Sequence, residues 1–191
     1  MKYNFKKCLI VLSMICSTFI TSAYVKPSNV IPIDSSKNAF YHNNMGLRYL
    51  DERCYYAAVQ EFKIAISLAP ETQAASVYYK NLGDTYMYIG YPAWAEDCYN
   101  KAINLYSLNF EYYKDLAKCY KAKKAVAAKL KTYSSSKNPL APIMVGLLKE
   151  QKGDIKGAIT TLDTFTMTEP DLLITPSVKS YVKELVKKVN K

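Results

Sequence analysis

Lys114, Lys118 and Lys121 recur at i, i+4 and i+7, which puts three ammonium groups on one face of a helix. Such a row can hold carboxylates or another anion. Between Phe110 and Asn138 eight lysines stand against Glu111 and Asp115, the strongest charge asymmetry in the chain. Residue types suited to bond-making chemistry are sparse. The single histidine, His42, falls at a large packing position of an apolar helical pattern. With no second histidine there is no HExxH metal site, and no acid–histidine–serine set can be assembled. Gly-rich phosphate loops are absent. The carboxylate pairs Asp51–Glu52 and Glu96–Asp97 are sequence neighbours, so on a helix they point in different directions. Cys54, Cys98 and Cys119 match no metal spacing. They read as small buried residues, or as a Cys98–Cys119 disulfide between neighbouring helices if the chain is exported. The expectation is a chain with no catalytic residue, no metal and no cofactor, and not an enzyme.

The first 23 residues have the form of a signal peptide: Lys2, Lys6 and Lys7, an apolar run from Cys8 to Ile20, then Thr21-Ser22-Ala23. Cleavage is expected between Ala23 and Tyr24, with export to the periplasm or outside. The alternative is an uncleaved anchor, if Thr21 to Val25 extend the apolar run toward the roughly 20 residues a span requires. Removal of the segment takes the formal charge from +10 to +7, which permits acidic partners and argues little for nucleic acid in an exported chain. Residues 24–38, with Pro27 and Pro32, read as a linker. Asp34, Ser35 or Ser36 is expected to cap the first helix.

Beyond the linker the chain repeats. Gly46, Gly83, Ala117 and Gly146 align, each followed three places on by Tyr49, Tyr86, Tyr120 or Lys149. A second register runs through Ala58, Ala95 and Ala158, with Phe62, Tyr99 and Leu162 four residues later. Small residues let paired helices approach closely, and large ones fill the space beside them. Pro70 and Pro170 end two of the blocks, because proline cannot continue a helix. This pattern resembles the tetratricopeptide repeat (TPR) family, a 34-residue helix–turn–helix unit. It gives repeats at 39–72, 76–109, 110–138 and 139–172, with turns at Gly90 and Gly153-Asp154. The expected fold is all-α, a solenoid of about 3.5–4 repeats. The third repeat is short and degenerate: its second helix, about 124–133, lacks the small–large register, and a weak point is expected there. Residues 173–191 hold a last amphipathic helix, 177–190, that caps the array or lies on a membrane surface.

The resemblance implies a concave groove lined by the first helix of each pair, where family members bind ligands. Projected onto this chain, that surface is Asn43, Leu47 and Leu50; Lys80, Asp84, Met87 and Tyr88; Lys114, Lys118 and Lys121; then Ile143, Leu147 and Glu150. The binding residues expected are Asn43, Leu47, Lys80, Asp84, Met87, Tyr88, Lys114, Lys118, Lys121 and Leu147. The expected function is an exported scaffold, by default a monomer, that binds a protein or peptide through this groove, an acidic one if the lysines form a basic patch. The alternative is an envelope assembly factor held to the membrane by its N-terminal segment or its basic C-terminal helix.

Overall fold

The N–H groups that open a helix need acceptors, and among the described residues four side chains supply them. Asn38 accepts from Tyr41 at 2.9 Å, Thr72 from Ala75 at 3.1 Å, Asn109 from Glu111 at 3.0 Å and Asp154 from Gly157 at 2.9 Å. The first cap is thus Asn38, closer to the helix than the expected Asp34, Ser35 or Ser36. A computed structural model describes residues 37–190; the expected signal peptide and most of the linker lie outside them. Among the described residues there are nine helices and no strand. They are α1 (Ala39–Asp51), α2 (Tyr55–Leu68), α3 (Gln73–Ile89), α4 (Pro92–Leu105), α5 (Phe110–Ala122), α6 (Val126–Ser134), α7 (Ala141–Lys152), α8 (Ile155–Thr168) and α9 (Thr175–Val189).

The first eight helices form antiparallel pairs, and all four pairs turn the same way. The carbonyls of Tyr49, Tyr86, Tyr120 and Lys149, which define the sequence register, accept from the N–H groups of Cys54, Tyr91, Ala125 and Asp154 at 2.7–2.9 Å. One residue earlier, Arg53, Gly90, Lys124 and Gly153 bond back three positions. This double bond is the Schellman closure, which requires a left-handed residue. Gly90 and Gly153 meet that requirement freely, whereas Arg53 and Lys124 adopt φ of 60° and 56°.

The small–large register sets the distance between paired helices. A Cβ on Gly46 would lie 2.6 Å from the Phe62 ring, one on Gly83 2.7 Å from Tyr99, and one on Gly146 2.5 Å from Leu162. Each large residue therefore presses onto the glycine of its partner helix. One core runs from Ala58 on α2 to Leu185 on α9, as stacking of amphipathic pairs demands.

The third pair differs. α6 is the shortest helix, has no fully buried residue, and packs more on α7 than on its own partner α5. Polar contacts hold it instead. Buried Glu96 on α4 binds Lys129 of α6 at 2.7 Å and also Lys123 of the turn. The Lys129 ammonium lies 4.6 Å from the Tyr120 ring centre. Burial alone would raise the Glu96 carboxyl, but the two lysines outweigh it and hold it below its ordinary value. A depressed carboxyl stabilises the fold above its unfolded pKa, about 4.3, and that contribution disappears as pH falls through the lower folded value. Glu96→Gln is therefore expected to speed hydrogen exchange of the α6 amides at neutral pH. Under acid, below the folded value, the difference from the parent should shrink.

Cys98 and Cys119 are both buried and not bonded to each other, and the Cys119 thiol donates to the Pro92 carbonyl at 3.0 Å. Burial pushes Cys98 up to about 12 and Cys119 up to about 11. The disulfide alternative is thus not realised, and Cys54 is exposed where burial was expected. α9 starts two residues before the expected 177. Its Val178, Val182 and Leu185 are buried, so that face packs against the last pair. No helix among the described residues is long and apolar enough to cross a membrane.

Candidate binding groove

α3 and α5, the first helices of neighbouring pairs, present side chains to a shared hollow of about 390 Å³. Helical spacing places Lys80, Asp84 and Met87 on one face of α3, with Tyr88 beside them. Glu111, Asp115 and Lys118 line the hollow from α5, and Tyr99 of α4 reaches its floor between them. The charged groups are already engaged. Lys80 Nζ lies 2.6 Å from Asp84 and 3.8 Å from Asp115, and Lys118 Nζ lies 2.9 Å from Asp115. The Tyr99 hydroxyl donates to the other Asp84 oxygen at 2.8 Å. The result is a ladder, Asp84–Lys80–Asp115–Lys118, running across two helices.

Burial by itself would lower the Lys80 ammonium, but Asp84 first, then Asp115 and Glu111, raise it above its ordinary value. Burial and the Asp84 charge push the Tyr99 phenol far upward, so it stays a donor. Each ammonium has three N–H groups, so the ladder retains donors for a ligand. Its carboxylate oxygens retain lone pairs. Tyr88, 66 % exposed, and half-buried Met87 add apolar area at the rim.

The structure gathers Lys80, Asp84, Met87, Tyr88 and Lys118 from the expected set and leaves the others elsewhere. Asn43 is buried and accepts from Asn81 at 2.9 Å, which ties α1 to α3. Leu47 is partly exposed on α1, outside this hollow. Lys114 turns away to Glu111 at 2.9 Å and sits 5.1 Å from the Tyr181 ring centre. Lys121 is exposed in the last turn of α5 and does not line the hollow. Leu147 and Ile143 are buried in the core that includes Val178 and Leu185 of α9. Tyr181 of α9 meets Phe110 edge-on and donates to Glu150 at 2.5 Å. The last helix thereby occupies the inner face of the final pairs, and Leu147 packs where a ligand contact was expected. His42 is buried, with Nδ1 2.7 Å from Glu61 of α2, a link between the first two helices.

Two residues that shape the site were missed as site members. Asp115 and Glu111 enter the sequence reading only as the acids set against the lysine excess. Their spacing from Lys118 and Lys114, three residues in each case, carried the signal for local pairing. The expected basic patch is therefore a mixed-charge surface: three carboxylates and two ammonium groups line the hollow.

Several solved structures are similar to this chain. MamA is 21 % identical, with a TM-score of 0.50 over 71 % of this chain and 81 % of that one. PilF of Pseudomonas aeruginosa is 18 % identical, with a TM-score of 0.49 over 77 % and 68 %. YrrB, described as a TPR protein with an unusual peptide-binding site, is 18 % identical, with a TM-score of 0.46 over 76 % of each chain. No family model matches the chain, and no curated protein matches it. The likeness to MamA is one of fold.

Proposed function

With a tetratricopeptide-type solenoid as the premise, we propose that this chain is a non-catalytic, exported interaction scaffold that holds an extended segment of a partner protein in the α3–α5 hollow. The ladder is the observation that carries this reading. An extended peptide offers N–H donors and C=O acceptors in alternation. The ladder offers acceptors and donors in alternation, fixed in place before the ligand arrives. Pre-ordered partners reduce the entropy lost on binding. Tyr88 and Met87 supply the apolar contact that such sites add to a few polar anchors. The near balance of charge in the hollow favours a partner segment of mixed or neutral character over a uniformly acidic one.

Affinity capture from the native source tests this reading, with the chain and its Lys80→Glu, Lys118→Glu variant as parallel baits. Lys80→Glu alone puts a third carboxylate beside Asp84 and Asp115. The partner retained by the parent should be lost with the variant, while the two baits keep the same helical circular-dichroism signal. Equal recovery with both baits would place binding outside the hollow.

A further inference from the structure

The four Schellman turns all lie on one edge of the array, because each pair turns back at the same end. That edge carries exposed rings. Tyr56 sits in the first turn of α2 at 69 % exposure, Tyr91 precedes α4 at 43 %, and Trp94 sits in the first turn of α4 at 55 %. Trp94 lies 5.1 Å from Tyr91 and 5.2 Å from Tyr86, ring centre to ring centre. Cations flank these rings at the tips of the neighbouring turns. Arg53 and Lys124 occupy left-handed positions that glycine takes in the other two turns, so charge is kept there against backbone preference. Lys121 and Lys152 are exposed beside them, and none of these four has an ion-pair partner among the described residues. Asp51, Glu52 and Asp154 share the edge, and Asp154 is engaged as the α8 cap. The opposite edge, formed by the links between pairs, carries Glu71, Glu169 and Asp171 against Lys137, and Phe40 and Tyr41 are exposed there at the start of α1.

We propose that this turn edge docks on an anionic lipid surface, with Tyr56, Tyr91 and Trp94 at headgroup depth and Arg53, Lys121 and Lys124 against the lipid phosphates. Tyrosine and tryptophan bury a ring while keeping a polar tip wet, and for that reason they concentrate at membrane–water interfaces. Basic residues near the bilayer add attraction to acidic headgroups. A planar partner can reach the tips of successive turns at once, which a single peptide strand cannot. The edge shares no lining residue with the hollow, so the inference is tested independently of the function proposed above.

Trp94 is the only tryptophan in the chain, so its emission reports this edge alone. The full chain is mixed with vesicles containing phosphatidylglycerol, and separately with vesicles of phosphatidylcholine only. The expected result is a blue shift of Trp94 emission, and quenching by lipids brominated high on the acyl chain, with phosphatidylglycerol alone. High salt should reverse both. Arg53→Glu with Lys121→Glu and Lys124→Glu should weaken the shift at least about tenfold in lipid concentration, since each basic residue near the surface contributes measurably. Unchanged Trp94 emission on phosphatidylglycerol vesicles would overturn the proposal, even if the N-terminal segment brings the chain to the membrane. So would a shift caused by soluble polyglutamate and not by vesicles, which would reassign the edge to an acidic polymer.

Discussion

Phe62→Ala is expected to destabilise the array by about 3–5 kcal/mol, the cost of removing a fully buried aromatic ring and leaving a cavity. Gly46→Ala is expected to cost about 1–3 kcal/mol by the opposite route, overpacking. The added methyl would stand 2.6 Å from the Phe62 ring, and that ring is enclosed and cannot retreat. The two positions act as one unit, so their effects should not add. In Gly46→Ala with Phe62→Leu, the smaller side chain makes room for the methyl, and the double change should cost less than the sum of its parts. Gly90→Ala is the contrast. No atom lies within 4 Å of a Cβ there, so only the left-handed backbone is penalised, about 1–2 kcal/mol. Urea unfolding of the parent, these four variants and Phe62→Leu alone measures all of this. A Gly46→Ala chain as stable as the parent would show that the small–large register does not set the helix spacing.

Lys80→Met is expected to act on stability and on binding together. Asp84 and Asp115 are mostly shielded from water, and Lys80 is the cation between them. Removing it leaves Asp84 with only the Tyr99 hydroxyl and brings two carboxylates into uncompensated proximity. The expected cost is about 1–3 kcal/mol in folding, together with loss of the bound partner segment. Asp84→Asn with Lys80→Met should recover stability, because the unpaired buried charge is gone, but should not recover binding. The mixed charge of the ladder also fixes a salt response. A basic patch gripping an acidic ligand would lose affinity steeply with added salt, since exposed charge pairs are screened. The ladder predicts a shallow dependence.

The architecture was legible because its determinants are short-range. Glycine or alanine at 46, 83, 117 and 146 had to recur for helices to pair closely, and Gly90, Gly153, Pro70 and Pro170 mark breaks that the backbone obeys. The third pair shows the limit. Its turn keeps the common Schellman geometry although Lys124 replaces glycine, while α6 is held by Glu96, twenty-seven residues from Lys123 and thirty-three from Lys129. No local pattern announces a contact of that range. The groove was half legible. On α3 the structure places Lys80, Asp84 and Met87 together, because they share a face whatever packs nearby. On α5, the spacing of the lysines points to a basic row, but Glu111 and Asp115 stand three residues away and pair with Lys114 and Lys118. On α7 the projection failed for a different reason: Leu147 holds the position on its helix that Asp84 holds on α3, but α9 returns to bury it. A face is predictable from spacing, whereas its occupant depends on where the chain goes next.

Site-specific photocrosslinking in the native cell reads out which segment occupies the hollow. A benzophenone amino acid replaces Met87 at the rim of the hollow, and in a second chain it replaces Lys101, exposed on α4. A discrete crosslinked partner is expected from position 87, absent from position 101 and absent when Lys80→Glu and Lys118→Glu are added. The same partner crosslinked from position 101, or from position 87 irrespective of the two lysines, would contradict that expectation.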